Sequence, residues 1–278
     1  MMKKRPNIKI IVATHKQYRM PEDNAYMPLQ VGAEGKTDES GKPLDFGYAK
    51  DNTGENISDL NWCFGTQTAL YWAWKNLDAD YTGLVHYRRY FLKRKPKKGE
   101  DMFNCILGEK QLYSLLKKYK VIVPKKRRYY IETIYSHYSH TMNGGKEQLD
   151  ITRKIIAKET PEYLNSFDTL MRKRSAYVFN MMILSKELFD QYCTWLFPVL
   201  FALFDTFDTS DMNEFDRRYA GRISERLFNV WLLRQLETGV LKKEDIKEMP
   251  YTEDVNWRKK ITGFVKAKLF KSKYGASF

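Results

Sequence analysis

The sequence predicts an α/β core with a helical addition toward its C-terminus, and three observations carry that reading. A run rich in β-branched residues, NIKIIVAT at residues 7–14, interrupted only by Lys9, has the character of a buried first strand. Strand-like and helix-period segments then alternate as far as residue 124, the order of an α/β sheet. Beyond that point the apolar spacing is mainly helical. The 278 residues suit one core of about 200 residues plus this addition.

The first strand runs into a polar turn at Thr14, His15 and Lys16, and ligands of open α/β sheets gather at such carboxyl ends, so these residues are candidate nucleotide contacts. Residues 20–55, rich in Gly, Pro, Asp and Asn, are expected to form a long loop. A helix is expected over 58–76, with Ser58 as its cap and Leu60, Phe64, Ala69, Trp72 and Leu77 at roughly helical spacing. Tyr81 to Val85 reads as a central strand that delivers His86 to Arg89 to its end, and a helix at 109–118 and a strand at 120–124 follow. In the second half, helices are expected near 145–158, 160–172, 185–205 and 222–237, broken by a strand over Ser175 to Leu184.

Hydrophobic residues make up 43% of the chain and charged residues 29%, which supports a packed core and excludes global disorder. The net charge of +14 favours anionic partners, among them nucleotide diphosphates, nucleic acid and anionic lipid headgroups. Cys63, Cys105 and Cys193 are widely spaced without a CxxC pair, which argues against a zinc ribbon or disulfide scaffold and fits a reducing cytoplasm. The apolar run near the start is too short for a signal peptide, and no window reaches the roughly 18 apolar residues of a membrane span. Phosphate-loop, GxGxxG, HExxH and GxSxG motifs are absent. His137 and His140 can share a helical face, yet no third ligand completes a zinc set.

Three clusters remain. In HYRRYF, Arg88 and Arg89 follow an apolar strand and match phosphate oxygens in geometry and charge; His86 stands beside them. Because side chains alternate along a strand, both arginines reach one ligand only if the strand has ended; otherwise one pairs with a buried carboxylate. In DNTGENISDLN, Asp51, Asn56 and Asn61 carry groups suited to sugar hydroxyls near a helix start. In RYAGRISERL, Ser224 is expected to cap a helix with Glu225 in its first turn, either as a general base or as an acid favoured by the helix dipole; Asp211 and Asp216 are reserve bases.

Taken together, ATHK, ENIS, YWAWKN, YTGLVHYRRYF, YVFNMMIL and ISERLFNVWL resemble the glycosyltransferase-like proteins of bacterial capsule and exopolysaccharide clusters, over roughly residues 8–235. The resemblance implies a GT-A-like nucleotide-sugar-binding core, a UDP-sugar donor (galactofuranose in some members), an oligosaccharide or lipid-linked acceptor and an inverting displacement. It places Asn180 among the acceptor or donor contacts, although an isolated Asn in an apolar strand equally suits neighbouring backbone groups, and His140 is grouped with the acceptor contacts. The Asp-x-Asp motif by which GT-A enzymes hold Mn2+ or Mg2+ is missing: the comparable position reads His86-Tyr87-Arg88. Either the arginines replace the metal electrostatically or Mn2+ or Mg2+ is held by other residues, so no cofactor is firmly expected.

The expected organisation is a transferase domain at 1–240, with a donor half at about 1–130 and an acceptor half at about 131–240, and a basic tail at 241–278. Phe264, Leu269 and Phe270 lie among that tail's lysines, which suits either an anionic membrane or a solvated end. The expected location is the cytoplasmic face of the cell membrane. A non-catalytic carbohydrate-binding or nucleic-acid-binding protein is the rival reading, although no nucleic-acid motif is present.

Overall fold

The computed structural model describes residues 5–207, 209–210 and 212–252. Its centre is a seven-stranded sheet in the order β3-β2-β1-β4-β8-β5-β9. Strand β1 (Ile8–Thr14) lies between β2 (Tyr26–Gln30) and β4 (Tyr81–His86), parallel to both, and β3 (Ala49–Lys50) extends the β2 edge. Strand β8 (Met182–Ser185) runs antiparallel between β4 and β5 (Val121–Pro124), and β9 (Ile246–Met249) runs parallel to β5.

The mostly apolar run of β1, broken only by Lys9 before its terminal Thr14, is explained by cores on both faces of the sheet. Ile8, Ile10 and Val12 join one, with Val85, Ile122 and Ile183; Ile11 and Ala13 join the other, with Leu84, Val121 and Leu184. The first core is covered by α3 (Glu109–Leu116) through Leu112 and Leu116. On the opposite face lie α1 (Asn61–Phe64), α2 (Gln67–Asn76), α4 (Ile134–Thr141), α5 (Gly145–Glu159), α6 (Leu164–Arg172), α7 (Lys186–Thr206) and α9 (Tyr219–Glu237), with the short α8 (Glu214–Arg217) leading into α9. This is the helical addition expected from the sequence.

Four local expectations are corrected. The 20–55 segment is not all loop, because Tyr26 to Gln30 pairs with β1. The single helix over 58–76 is broken at Gly65, whose φ of 55° interrupts helical geometry, and Ser58 donates its hydroxyl to Asp51 instead of capping. The strand over 175–184 is two strands: β7 (Ser175–Ala176) pairs with β6 (Arg127–Arg128) in a separate ribbon, and the chain then turns at Phe179 and Asn180 before entering β8. The last helix begins at Tyr219, so Ser224 is internal and Glu225 lies beyond the first turn.

The expected domain limit at residue 240 also moves. Strand β9 completes the sheet, and Thr252 accepts from the Tyr90 amide at 3.0 Å while donating to the Arg88 carbonyl at 2.9 Å. The folded unit therefore includes residues 241–252. The remainder of the expected membrane tail, with Phe264, Leu269 and Phe270, lies outside the described residues. Among the described residues no helix is long and apolar enough to cross a membrane.

Candidate nucleotide-sugar site

Strand β4 ends at His86. The His86 and Arg89 amides and carbonyls bond to each other at 3.2 and 2.8 Å, folding Tyr87 and Arg88 into a tight turn. Alternation no longer separates Arg88 from Arg89 once the strand has stopped. The Tyr87 amide reaches the Ala13 carbonyl at 3.2 Å, which brings this turn against the loop that follows β1. Thr14, itself buried, shapes that loop: its hydroxyl donates to the Lys16 carbonyl at 2.6 Å.

Tyr87 is the hub of the assembly. His15 and Tyr18 meet its ring edgewise at 5.3 and 5.2 Å, and Lys16 and Arg88 lie 5.4 and 5.0 Å from its centroid. Burial lowers the His15 pKa, and the charges of Arg218, at the α8–α9 junction, and of Lys16 and Arg88 lower it further. Arg89 is half-buried, with its guanidinium 4.3 Å from the Phe179 ring. Among the described residues, no carboxylate lies within ion-pair distance of Lys16, Arg88, Arg89 or Arg218. Uncompensated cations at the carboxyl ends of parallel strands suit a polyanion.

His86 supports this group from below. Burial pushes its pKa down to about 4, aided by Arg89 and Arg88, so the ring is neutral and donates from Nε2 to the Phe179 carbonyl. Phe179 and Asn180 both have left-handed backbone, with φ of 71° and 52°. The Asn180 amide secures this turn to α9, donating to the Gly221 carbonyl at 3.1 Å and accepting from Ser224 at 3.3 Å. Asn180, expected as an acceptor contact, is thus a buried positioning residue.

Glu225 emerges on the α9 face next to this turn. Its side chain is 20% exposed and lies 3.4 Å from Arg226, and its charge is felt at Arg89, where it partly offsets the lowering of the Arg89 pKa by burial and by Arg88. A carboxylate at the border of the cationic group can accept a proton from an incoming hydroxyl.

Other candidates serve the fold. Asp51 is wholly buried and accepts from the Gly32 and Ala33 amides at 2.9 and 3.1 Å, from Thr68 at 2.6 Å and from Ser58, which leaves no free face for a sugar. Asn61 donates to the Gly65 carbonyl and Thr68, and it packs so closely on Gly32 (φ 62°) that a Cβ there would sit 2.7 Å from its side chain. Asn56 accepts from the Ser58 amide and donates to the Gly54 carbonyl, closing a local turn. Asp216 is buried and receives the Asn213 amide at 2.6 Å. His140 is exposed on α4 and pairs with Glu132 at 3.1 Å. Asp211 lies outside the described residues.

Sequence reasoning missed Arg218, Tyr87 and Phe179. Arg218 opens the RYAGR stretch already singled out for Glu225, but nothing local shows that its charge acts at His15. Among the described residues, no group of three or more His, Cys, Asp or Glu side chains could hold a metal ion, and the residues after β4 are cations and rings.

Over residues 9–236 the chain matches the family described as a domain of unknown function, DUF4422. No curated protein matches it. Among solved structures it is similar to the apo form of WbbM, a bifunctional glycosyltransferase, with 28% identity and a TM-score of 0.78 over 90% of this chain and 46% of that one. The chain thus spans about half the length of that enzyme. Its α/β core with C-terminal helices is a fold that a glycosyltransferase uses, and with most of its length under one family model, the chain belongs to the DUF4422 family.

Proposed function

We propose that this protein is a glycosyltransferase that passes a hexose, such as galactofuranose, from a UDP-sugar to a growing or lipid-linked capsular or exopolysaccharide acceptor. The carrying observation is the set of Lys16 and Arg88 at the Tyr87 ring, Arg89 on Phe179 and the charge of Arg218 acting at His15, none of which has a carboxylate in ion-pair reach among the described residues. Similarity to part of a glycosyltransferase supports the same reading.

The chemistry follows from where the charges stand. The donor diphosphate rests among the cations, which favour the charge that builds as the bond from the anomeric carbon to the diphosphate oxygen breaks. The acceptor oxygen attacks that carbon from the opposite side and its proton passes to Glu225, so UDP leaves with the bonding electron pair and the product is inverted. Guanidinium and ammonium groups thereby take the electrostatic role that a metal has in other GT-A enzymes.

Replacing Glu225 with Gln tests the assignment. Transfer is expected to fall about 10^2- to 10^4-fold while UDP binding is kept; parallel loss of both assigns Glu225 to binding or folding. Chelation by EDTA is expected to leave transfer unchanged, and complete loss refutes the cation-only reading. A protein that binds UDP yet neither transfers nor hydrolyses any UDP-sugar is a silent relative.

A further inference from the structure

We infer that the β6–β7 ribbon is a docking surface for an anionic lipid bilayer. The sequence around β6 is KKRRYYI, and its partner strand is preceded by Arg172-Lys173-Arg174. The ribbon joins these runs: Arg127 and Arg128 are in register with Ala176 and Ser175, and the Tyr129 amide reaches the Arg174 carbonyl at 2.8 Å. Lys125 to Arg128 and Arg172 to Arg174 are exposed, and none of them has an ion-pair partner among the described residues. The acids close by are committed elsewhere: Glu132 holds His140 at 3.1 Å, and Glu248 accepts from Tyr177 at 2.9 Å.

At the end of the ribbon the chain exposes apolar surface. Tyr130 is 77% exposed and Ile131 61% exposed, the highest values among the exposed large hydrophobic side chains of the described residues. They form the corners of a turn closed by the Glu132 amide on the Tyr129 carbonyl at 3.3 Å, and Tyr130 has a left-handed φ of 57°. Such a corner favours Gly or Asn, so an aromatic followed by a β-branched residue carries a conformational cost with no burial to offset it. A bilayer interface supplies that burial: the ring and the aliphatic chain enter the headgroup region while the surrounding cations meet anionic lipids. A soluble polyanion would use the cations and leave the apolar tip unexplained.

The ribbon also approaches α9: the Tyr129 ring lies 4.5 Å from that of His137 on α4, and Arg226, 3.4 Å from Glu225, lies 4.6 Å from the neighbouring Tyr138 ring, so a membrane seated on the ribbon would present a lipid-borne acceptor toward the proposed base. That last link rests on the transferase reading; the docking itself does not.

Co-sedimentation of the full chain with phosphatidylcholine vesicles, with and without phosphatidylglycerol, tests the inference. Binding is expected only to the vesicles that contain phosphatidylglycerol. Tyr130→Ser with Ile131→Ser, and separately Arg127→Gln with Arg128→Gln and Arg174→Gln, are each expected to weaken it on the order of tenfold or more. All five positions are exposed, and Ile131→Trp serves as a gain-of-binding variant that should tighten it. Parent-like binding by either combined variant, equal binding to both vesicle types, or binding to a soluble polyanion without vesicle binding overturns the inference. UDP affinity measured on the same proteins in solution is expected to match the parent, and absence of UDP binding by the parent would count against the transferase reading alone.

Discussion

Arg88 and Arg89 are adjacent in sequence but differ in setting: Arg88 is exposed beside Tyr87, whereas Arg89 is half-buried on Phe179. Replacing either with Ala is expected to weaken UDP binding about 10- to 100-fold, the scale of a lost charge-assisted contact. Fluorescence or calorimetric titration checks this. His86 makes a separate prediction about pH. Its folded pKa of about 4 is below the 6.5 of an unconstrained imidazole, so the unfolded chain binds the extra proton first. Stability from this residue is complete above about pH 6.5 and is lost as pH falls toward 4, and His137, lowered to about 3 by burial, adds to the same trend. Urea melts of the parent and of His86→Gln across that interval should show a shallower fall in the variant. Asp51→Asn probes structure instead: an amide nitrogen would face groups that now donate to the carboxylate, and a loss of about 1 to 3 kcal/mol is expected from the melting curve. The sequence marked Asp51 and Asn61 as sugar binders because their chemistry allows it. Their real partners, at 32, 33, 58, 65 and 68, are set by how the chain folds back, which residue type does not encode.

Among the elements, β1 and β4 were legible because buried parallel strands leave long apolar runs, and the expectation that a ligand-facing segment follows β4 rested on that. The segments misread were those in which one backbone angle decides the outcome: Gly65 between α1 and α2, and Phe179 and Asn180 between β7 and β8. Apolar spacing continues through these breaks, so periodicity alone cannot show them. The start of α9 was displaced for a similar reason, since Ser224 has cap chemistry but bonds to Gly221 and Asn180 inside the helix. Gly221 is also where α9 meets α1. A Cβ there would lie 2.7 Å from the Phe64 carbonyl oxygen, too close without backbone movement. Gly221→Ala is therefore expected to destabilise the fold by about 1 to 3 kcal/mol and to disturb the Asn180 anchor. Thermal melting reads the first effect and UDP affinity the second.

At the scale of the molecule, the strand order makes neighbours of β1 and β4, so the loop after the first strand and the turn after the fourth converge although some seventy residues separate them. From far along the chain, the charge of Arg218 at the start of α9 then acts at His15, and that of Glu225 at Arg89. A sequence shows which residues are basic but not which meet, and so it identified HYRRYF and missed Arg218. Donor binding depends on this convergence forming a diphosphate cradle. The most direct measurement is calorimetric titration of the full chain with UDP and with uridine, repeated on the Arg88→Ala, Arg89→Ala double variant. UDP is expected to bind at least about tenfold more tightly than uridine, and the double variant should bring UDP down to the level of uridine. Equal affinity for UDP and uridine, or a double variant that holds UDP as tightly as the parent, would contradict it.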